Sequence, residues 1–194
     1  MHSHRVVHFD LKPANLLLGD DGRVKIADLG IAVILDEPHS QVPVEGDKVY
    51  MAPELLKSRF SLAIDIFSLG LVVVEMAAMW PMPTEGSQWE QLRQADFSGL
   101  PLADLPEDLA DLVVRMLTPD PTARPTIDDI LQHRAVRPTL AARQQPQHEV
   151  RADIMRTPAG PERSKTANGP RRTAHGSGMA SEWFQVAVVR YVAA

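Results

Sequence analysis

The longest apolar stretch of the chain runs from Leu62 to Met79, broken only by Asp65, Ser68, Gly70 and Glu75. Its length predicts a helix and not a strand, and a helix apolar on all sides is one buried on all sides. Gly70 predicts a close approach by a neighbouring element, while Pro81 and Pro83 predict the helix end. Farther on, Leu109, Leu112, Val113, Met116 and Leu117 fall on one helical stripe, which predicts an amphipathic helix over 107–117. Asp104 and Glu107 have the spacing of a capping pair for it, with Pro106 between them. Ser87 to Ala95, with Trp89 and Leu92, predicts a shorter amphipathic helix. Thr126 with Asp129 predicts the capped start of a last helix, Ile127 to Gln132.

The N-terminal third reads differently. Leu16-Leu17-Leu18 and Val24-Lys25-Ile26 flank the turn formers Gly19-Asp20-Asp21-Gly22, which predicts a β-hairpin. Residues 31–52 contain Pro38, Pro43 and Gly46 and show no period, so a long loop of the kind that carries function is expected there. Beyond Pro138 the chain turns to Ala, Arg, Gln, Pro, Gly, Ser and Thr, the composition of a disordered tail. Only its end, Trp183 to Ala194, alternates loosely, as an interfacial segment or a stray strand would. The reading is therefore a mainly α domain at 1–138 and a largely disordered basic tail at 139–194.

Charge sharpens the division. Residues 1–138 carry 12 Lys+Arg against 21 Asp+Glu, and residues 139–194 carry 8 against 4. An acidic domain argues against a nucleic-acid partner. No cysteine is present among the 194 residues, which excludes disulfides and thiolate metal sites and fits a reducing compartment. His2, His4 and His8 invite a zinc reading, but His8 is better explained as a packing residue of the segment described next. No run of 18 apolar residues exists, so no transmembrane helix is expected.

Three blocks carry the candidate chemistry: His8-Phe9-Asp10-Leu11-Lys12-Pro13-Ala14-Asn15-Leu16, then Asp28-Leu29-Gly30, then Ala52-Pro53-Glu54. In order and spacing they resemble the catalytic loop, magnesium loop and substrate-loop anchor of a eukaryotic protein kinase. Residues 1–138 look like the C-terminal lobe of that fold, with its small hairpin. Within the superfamily the chain is most similar to the Wee/Myt kinases, which inhibit cyclin-dependent kinases by phosphorylating them. The Glu45-Gly46-Asp47-Lys48-Val49-Tyr50-Met51-Ala52-Pro53-Glu54 run carries this most specifically, because most Ser/Thr kinases place a Thr where Asp47 stands. Asp65-Ile66-Phe67-Ser68-Leu69-Gly70 supports it.

The resemblance implies ATP and Mg²⁺ as cofactors, a protein Ser/Thr or Tyr hydroxyl as acceptor, a cyclin-dependent kinase as candidate partner, and a nuclear or cytoplasmic setting. It implies that Asp10 takes the acceptor proton and that Lys12 lies beside the γ-phosphate. Asn15 and Asp28 would offer oxygens to Mg²⁺, a hard cation. Gly30 would let the backbone turn after Asp28. Asp65 would receive backbone amides of the catalytic loop, and Glu54 and Arg124 would form a buried ion pair. Phe9 stands where many kinases have the Arg that meets a phosphorylated loop residue, which weakens Ser40 and Tyr50 as regulatory sites. Leu29 replaces the usual Phe, and Val49 stands where the Myt type tends to have Arg. Thr157-Pro158 has the form of a proline-directed phosphosite.

The chain starts seven residues before the catalytic loop, which leaves no room for a Gly-rich loop, a strand Lys or its helix Glu. Positioning supplies most of the rate in phosphoryl transfer, so the chain alone is expected to have little or no activity. Apolar surface is expected on the side of the absent lobe. Two functions follow: a Wee/Myt-like kinase present as a fragment, or a non-catalytic remnant that binds protein. The intact Asp10, Lys12, Asn15 and Asp28 favour the first.

Overall fold

The structure, a computed structural model, describes residues 1–20, 23–35 and 46–138. The readings of residues 139–194 and of Ser40 lie outside them. Two small antiparallel sheets open the chain. Strands β1 (Val6–Val7) and β4 (Val33–Ile34) pair Val6 with Ile34 and Val7 with Val33. Strands β2 (Leu16–Leu18) and β3 (Val24–Ile26) form the predicted hairpin, in the register Leu16–Ile26, Leu17–Lys25, Leu18–Val24. The β1–β4 pair corrects the reading of 31–52 as loop throughout. A two-residue strand has no period to detect, and only its distant partner creates it.

Helix α1 (Ala63–Ala78) is the centre of the fold. Every residue from Ile64 to Val74 is buried, including Asp65, Ser68 and Gly70. Each fully buried aliphatic or aromatic side chain contributes about 1.5–3 kcal/mol, so this helix dominates the core. Helix α3 (Glu107–Met116) lays its stripe of Leu109, Leu112, Val113 and Met116 against α1. Gly70 sits at the contact: a Cβ there would lie 2.8 Å from Leu117 Cδ2 and 3.2 Å from Met116 Cβ. With Leu117 fully buried, a larger residue would force the helices apart.

Helix ends show where local rules hold and where they yield. Thr126 caps helix α4 (Ile127–Gln132): its Oγ1 accepts the Asp129 N–H at 3.2 Å, and Asp129 Oδ2 accepts the Thr126 N–H at 2.9 Å. At α3 the N-cap is Pro106, without a side-chain cap, and Asp104 instead closes a 3₁₀ turn at Leu102–Asp104. Helix α1 stops before the prolines, at Met79 in the left-handed region with φ 48°, its N–H bonded to the Glu75 carbonyl. Helix α2 (Ser87–Arg93) ends just short of Ala95, also left-handed. Among the described residues no helix is long and apolar enough to cross a membrane.

Candidate active site

Asp65, in the first turn of α1, shapes the segment that carries the candidate chemistry. One carboxylate oxygen accepts the His8 N–H at 2.9 Å and the other the Phe9 N–H at 3.1 Å. His2 Nε2 lies 3.0 Å from the oxygen shared with His8. Three donors satisfy a carboxylate that is almost fully buried. They also hold Phe9 at φ 67°, a left-handed conformation that an aromatic residue adopts only when its surroundings fix it. Those surroundings include Phe60, edge-on at 5.8 Å. His8 Nδ1 accepts the Asp10 N–H at 3.2 Å, so its Nε2 carries the proton and donates to the Ala27 carbonyl at 3.0 Å.

Asp10, Lys12 and Asn15 come together. Lys12 Nζ is 2.9 Å from Asp10 Oδ2, and Asn15 Nδ2 donates to the Asp10 carbonyl at 2.8 Å and to Oδ2 at 3.0 Å. Both partners of the Asn15 amide are acceptors, so the nitrogen must face them, which leaves Oδ1 on the other side as an oxygen donor. Asp47 closes the group. Its N–H donates to Asp10 Oδ1 at 2.9 Å, and its carboxylate lies 3.7 Å from Lys12 Nζ. Partial burial works to raise the Asp10 pKa, but the Lys12 ammonium, the Asp47 N–H and the Asn15 amide outweigh it and hold the carboxyl below its ordinary range. Lys12 is pushed the other way, above the ordinary Lys value, by its hydrogen bond to Asp10 against the cost of burial.

Asp28 follows Ala27, which is tied to the same loop twice: its N–H donates to the Asn15 carbonyl at 2.8 Å, and its carbonyl receives His8. Asp28 itself is exposed, with φ 61°. The sharp turn expected of Gly30 therefore falls on Asp28, a residue type that tolerates this region, and Gly30 donates its N–H to Asp28 Oδ1 at 3.3 Å. Leu29 and the hairpin residues Leu17 and Leu18 are large apolar side chains more than half exposed on these same segments. Gly46 has a steric reason: a Cβ there would lie 2.5 Å from the Phe9 carbonyl oxygen, so the Glu-Gly-Asp step can bring Asp47 to Asp10 only with Gly at its centre.

Glu54 and Arg124, 70 residues apart, meet in a buried bidentate pair, Nη1 to Oε1 at 2.5 Å and Nη2 to Oε2 at 2.7 Å. Arg124 also donates to the carbonyls of Thr118, Ala63 and Pro119. The contact of Asp47 with Asp10 escaped the sequence reading, although the Glu-Gly-Asp step had marked the residue. Arg93 was missed outright: a lone Arg on a short helix carries no signal that it is buried. Among the described residues no group of three or more His, Cys, Asp or Glu side chains is gathered as a metal site.

A carboxylate, an ammonium and an amide thus converge beside a hairpin, with a distant ion pair anchoring the segment that follows, and residues 1–136 match the protein kinase domain family. The chain belongs to that family. It is 37% identical over 134 residues to the membrane-associated tyrosine- and threonine-specific cdc2-inhibitory kinase of Drosophila melanogaster, covering 69% of this chain and 25% of the fly protein. It is 35% identical to the kinase of that description, wee-1.3, in Caenorhabditis elegans, over 74% of this chain and 21% of the relative. It is 39% identical to the mitosis inhibitor protein kinase mik1 of Schizosaccharomyces pombe, over 68% and 25%. The chain thus spans about a quarter of the length of these relatives.

Proposed function

We propose that residues 1–138 are the C-terminal lobe of a Wee/Myt-like protein kinase that restrains a cyclin-dependent kinase by phosphorylating it, and that 139–194 form a basic tail. The observation that carries this is the convergence of Asp10, Lys12, Asn15 and Asp47 within hydrogen-bonding distance, on a loop tied to the segment bearing Asp28. The donor set suits Mg²⁺: a neutral amide oxygen on Asn15 and an exposed carboxylate on Asp28, both hard oxygen ligands. Bound Mg·ATP supplies the phosphoryl group and the charge neutralisation that its transfer needs.

The chain's own residues do the rest. Asp10 is a carboxylate at neutral pH, as any aspartate in this setting is, and its oriented oxygens accept the hydrogen bond of the acceptor hydroxyl and take its proton as the phosphoryl group is transferred. The Asp47 N–H and the Asn15 amide fix the plane of the carboxylate, so the acceptor meets an oriented base. Lys12 carries a firm positive charge next to that base, placed to balance negative charge on a transferred group. Asn15 and Asp28 would hold the metal. Leu17, Leu18 and Leu29, exposed on the segments that follow Asn15 and Asp28, are apolar area of the kind that a second lobe would cover.

The test is transfer of labelled γ-phosphate to a purified, catalytically inactive cyclin-dependent kinase, by the full chain and by the chain joined to a nucleotide-binding lobe of a Wee-type kinase. Metal-dependent labelling by the joined protein, and little by the chain alone, is expected. Binding of the acceptor without labelling by either would favour the protein-binding remnant.

A further inference from the structure

Arg93 closes α2, is almost fully buried, and has no carboxylate partner among the described residues. Its donors go to backbone carbonyls instead: Nε to Met51 at 3.0 Å, Nη1 to Trp89 at 2.9 Å, and Nη2 to Lys48 at 3.1 Å and Val49 at 2.8 Å. The guanidinium stacks on the Trp89 ring at 3.6 Å, and Trp89 Nε1 donates to the Lys48 carbonyl at 3.0 Å. Burial lowers the Arg93 pKa to about 9, which leaves it charged at neutral pH.

Burying a guanidinium with no carboxylate beside it is costly, and here its donors are taken up by those carbonyls. Tyr50 completes the pattern, its carbonyl accepting from Ser68 Oγ of α1 at 2.8 Å. Every carbonyl from Lys48 to Met51 is thus held inward, three of the four by one side chain. The segment directly follows Asp47, whose N–H donates to Asp10. We propose that Arg93, braced by Trp89, is a positioning residue that sets the shape of the Lys48–Met51 segment beside Asp10 and thereby the docking of the protein acceptor. The acceptor role rests on the kinase reading above; the clamp does not.

Two readouts on the full chain separate them. Hydrogen exchange of the 49–51 amides is compared among the unmodified chain, Arg93→Lys and Trp89→Phe, together with binding to a purified, catalytically inactive cyclin-dependent kinase. Lysine keeps the charge but not the fork, so loss of two or more charge-assisted bonds is expected to speed exchange at 49–51 by about tenfold or more. The α1 amides should be unchanged and acceptor affinity should fall by about tenfold. Trp89→Phe keeps the stacking and removes one donor, so a smaller change in the same direction is expected. Unchanged exchange at 49–51, an equal rise throughout α1, or full acceptor affinity with a loosened segment would overturn the proposal. If the unmodified chain binds no acceptor, the kinase reading loses its partner, while exchange still decides for or against the clamp.

Discussion

Replacing Arg124 by alanine is expected to cost about 3–5 kcal/mol of folding stability, because it leaves Glu54 as a buried, unpaired carboxylate. The environment makes the cost high. Both residues are almost fully buried, and all five N–H groups of Arg124 are used, two on Glu54 and three on carbonyls that bridge α1 and the segment before α4. The guanidinium also lies 4.9 Å from the Phe67 ring. Glu54→Gln keeps the shape and one acceptor, so it should cost less. The double change Glu54→Leu with Arg124→Met removes both charges and should recover part of the loss, but not all of it, since the carbonyls of Thr118, Ala63 and Pro119 lose their donor. Urea unfolding midpoints check this ordering. An Arg124→Ala protein as stable as the parent would mean that the pair does not tie the segment bearing Glu54 to the helices.

In the chain joined to a nucleotide-binding lobe, Asp10→Asn is expected to lower the transfer rate by about 10²–10⁴-fold with acceptor KM little changed, since it removes a base that acts only as the proton moves. Folding should survive. The Asn oxygen can still accept the Asp47 N–H, while its NH₂ must face Lys12 and Asn15 where Oδ2 stood, a local clash of donors that costs about 1–3 kcal/mol. Melting temperature alongside the transfer rate separates lost chemistry from lost structure. Turnover retained in Asp10→Asn would remove Asp10 from the role of base.

What the sequence made legible depended on how far apart the determinants lie. The capping box at Thr126 and Asp129 and the hairpin at 16–26 were readable because their residues are neighbours. Helix α1 was readable because burial on all sides leaves a uniform apolar run, and Gly70 because a missing side chain there signals close packing. The β1–β4 pair was hidden by its shortness, and the start of α3 at Glu107 was legible while its cap was not, because Pro106 and not Asp104 occupies it. In the candidate site, the residue types came from the motif, but their contacts did not. Nothing in the order Asp28-Leu29-Gly30 says that the Asp takes the left-handed turn. Nor does a Trp and an Arg four residues apart say that they grip a loop some 40 residues earlier.

The most direct test is to add Mn²⁺ and ATP to the isotopically labelled full chain and map which amide resonances the paramagnetic ion broadens. The account predicts broadening centred on Asn15 and on Ala27 to Gly30, lost when Asn15 and Asp28 are both changed to alanine. Broadening centred instead on the acidic first turns of α3 or α4, at Glu107, Asp108 or Asp128, or undiminished in the double variant, would contradict it.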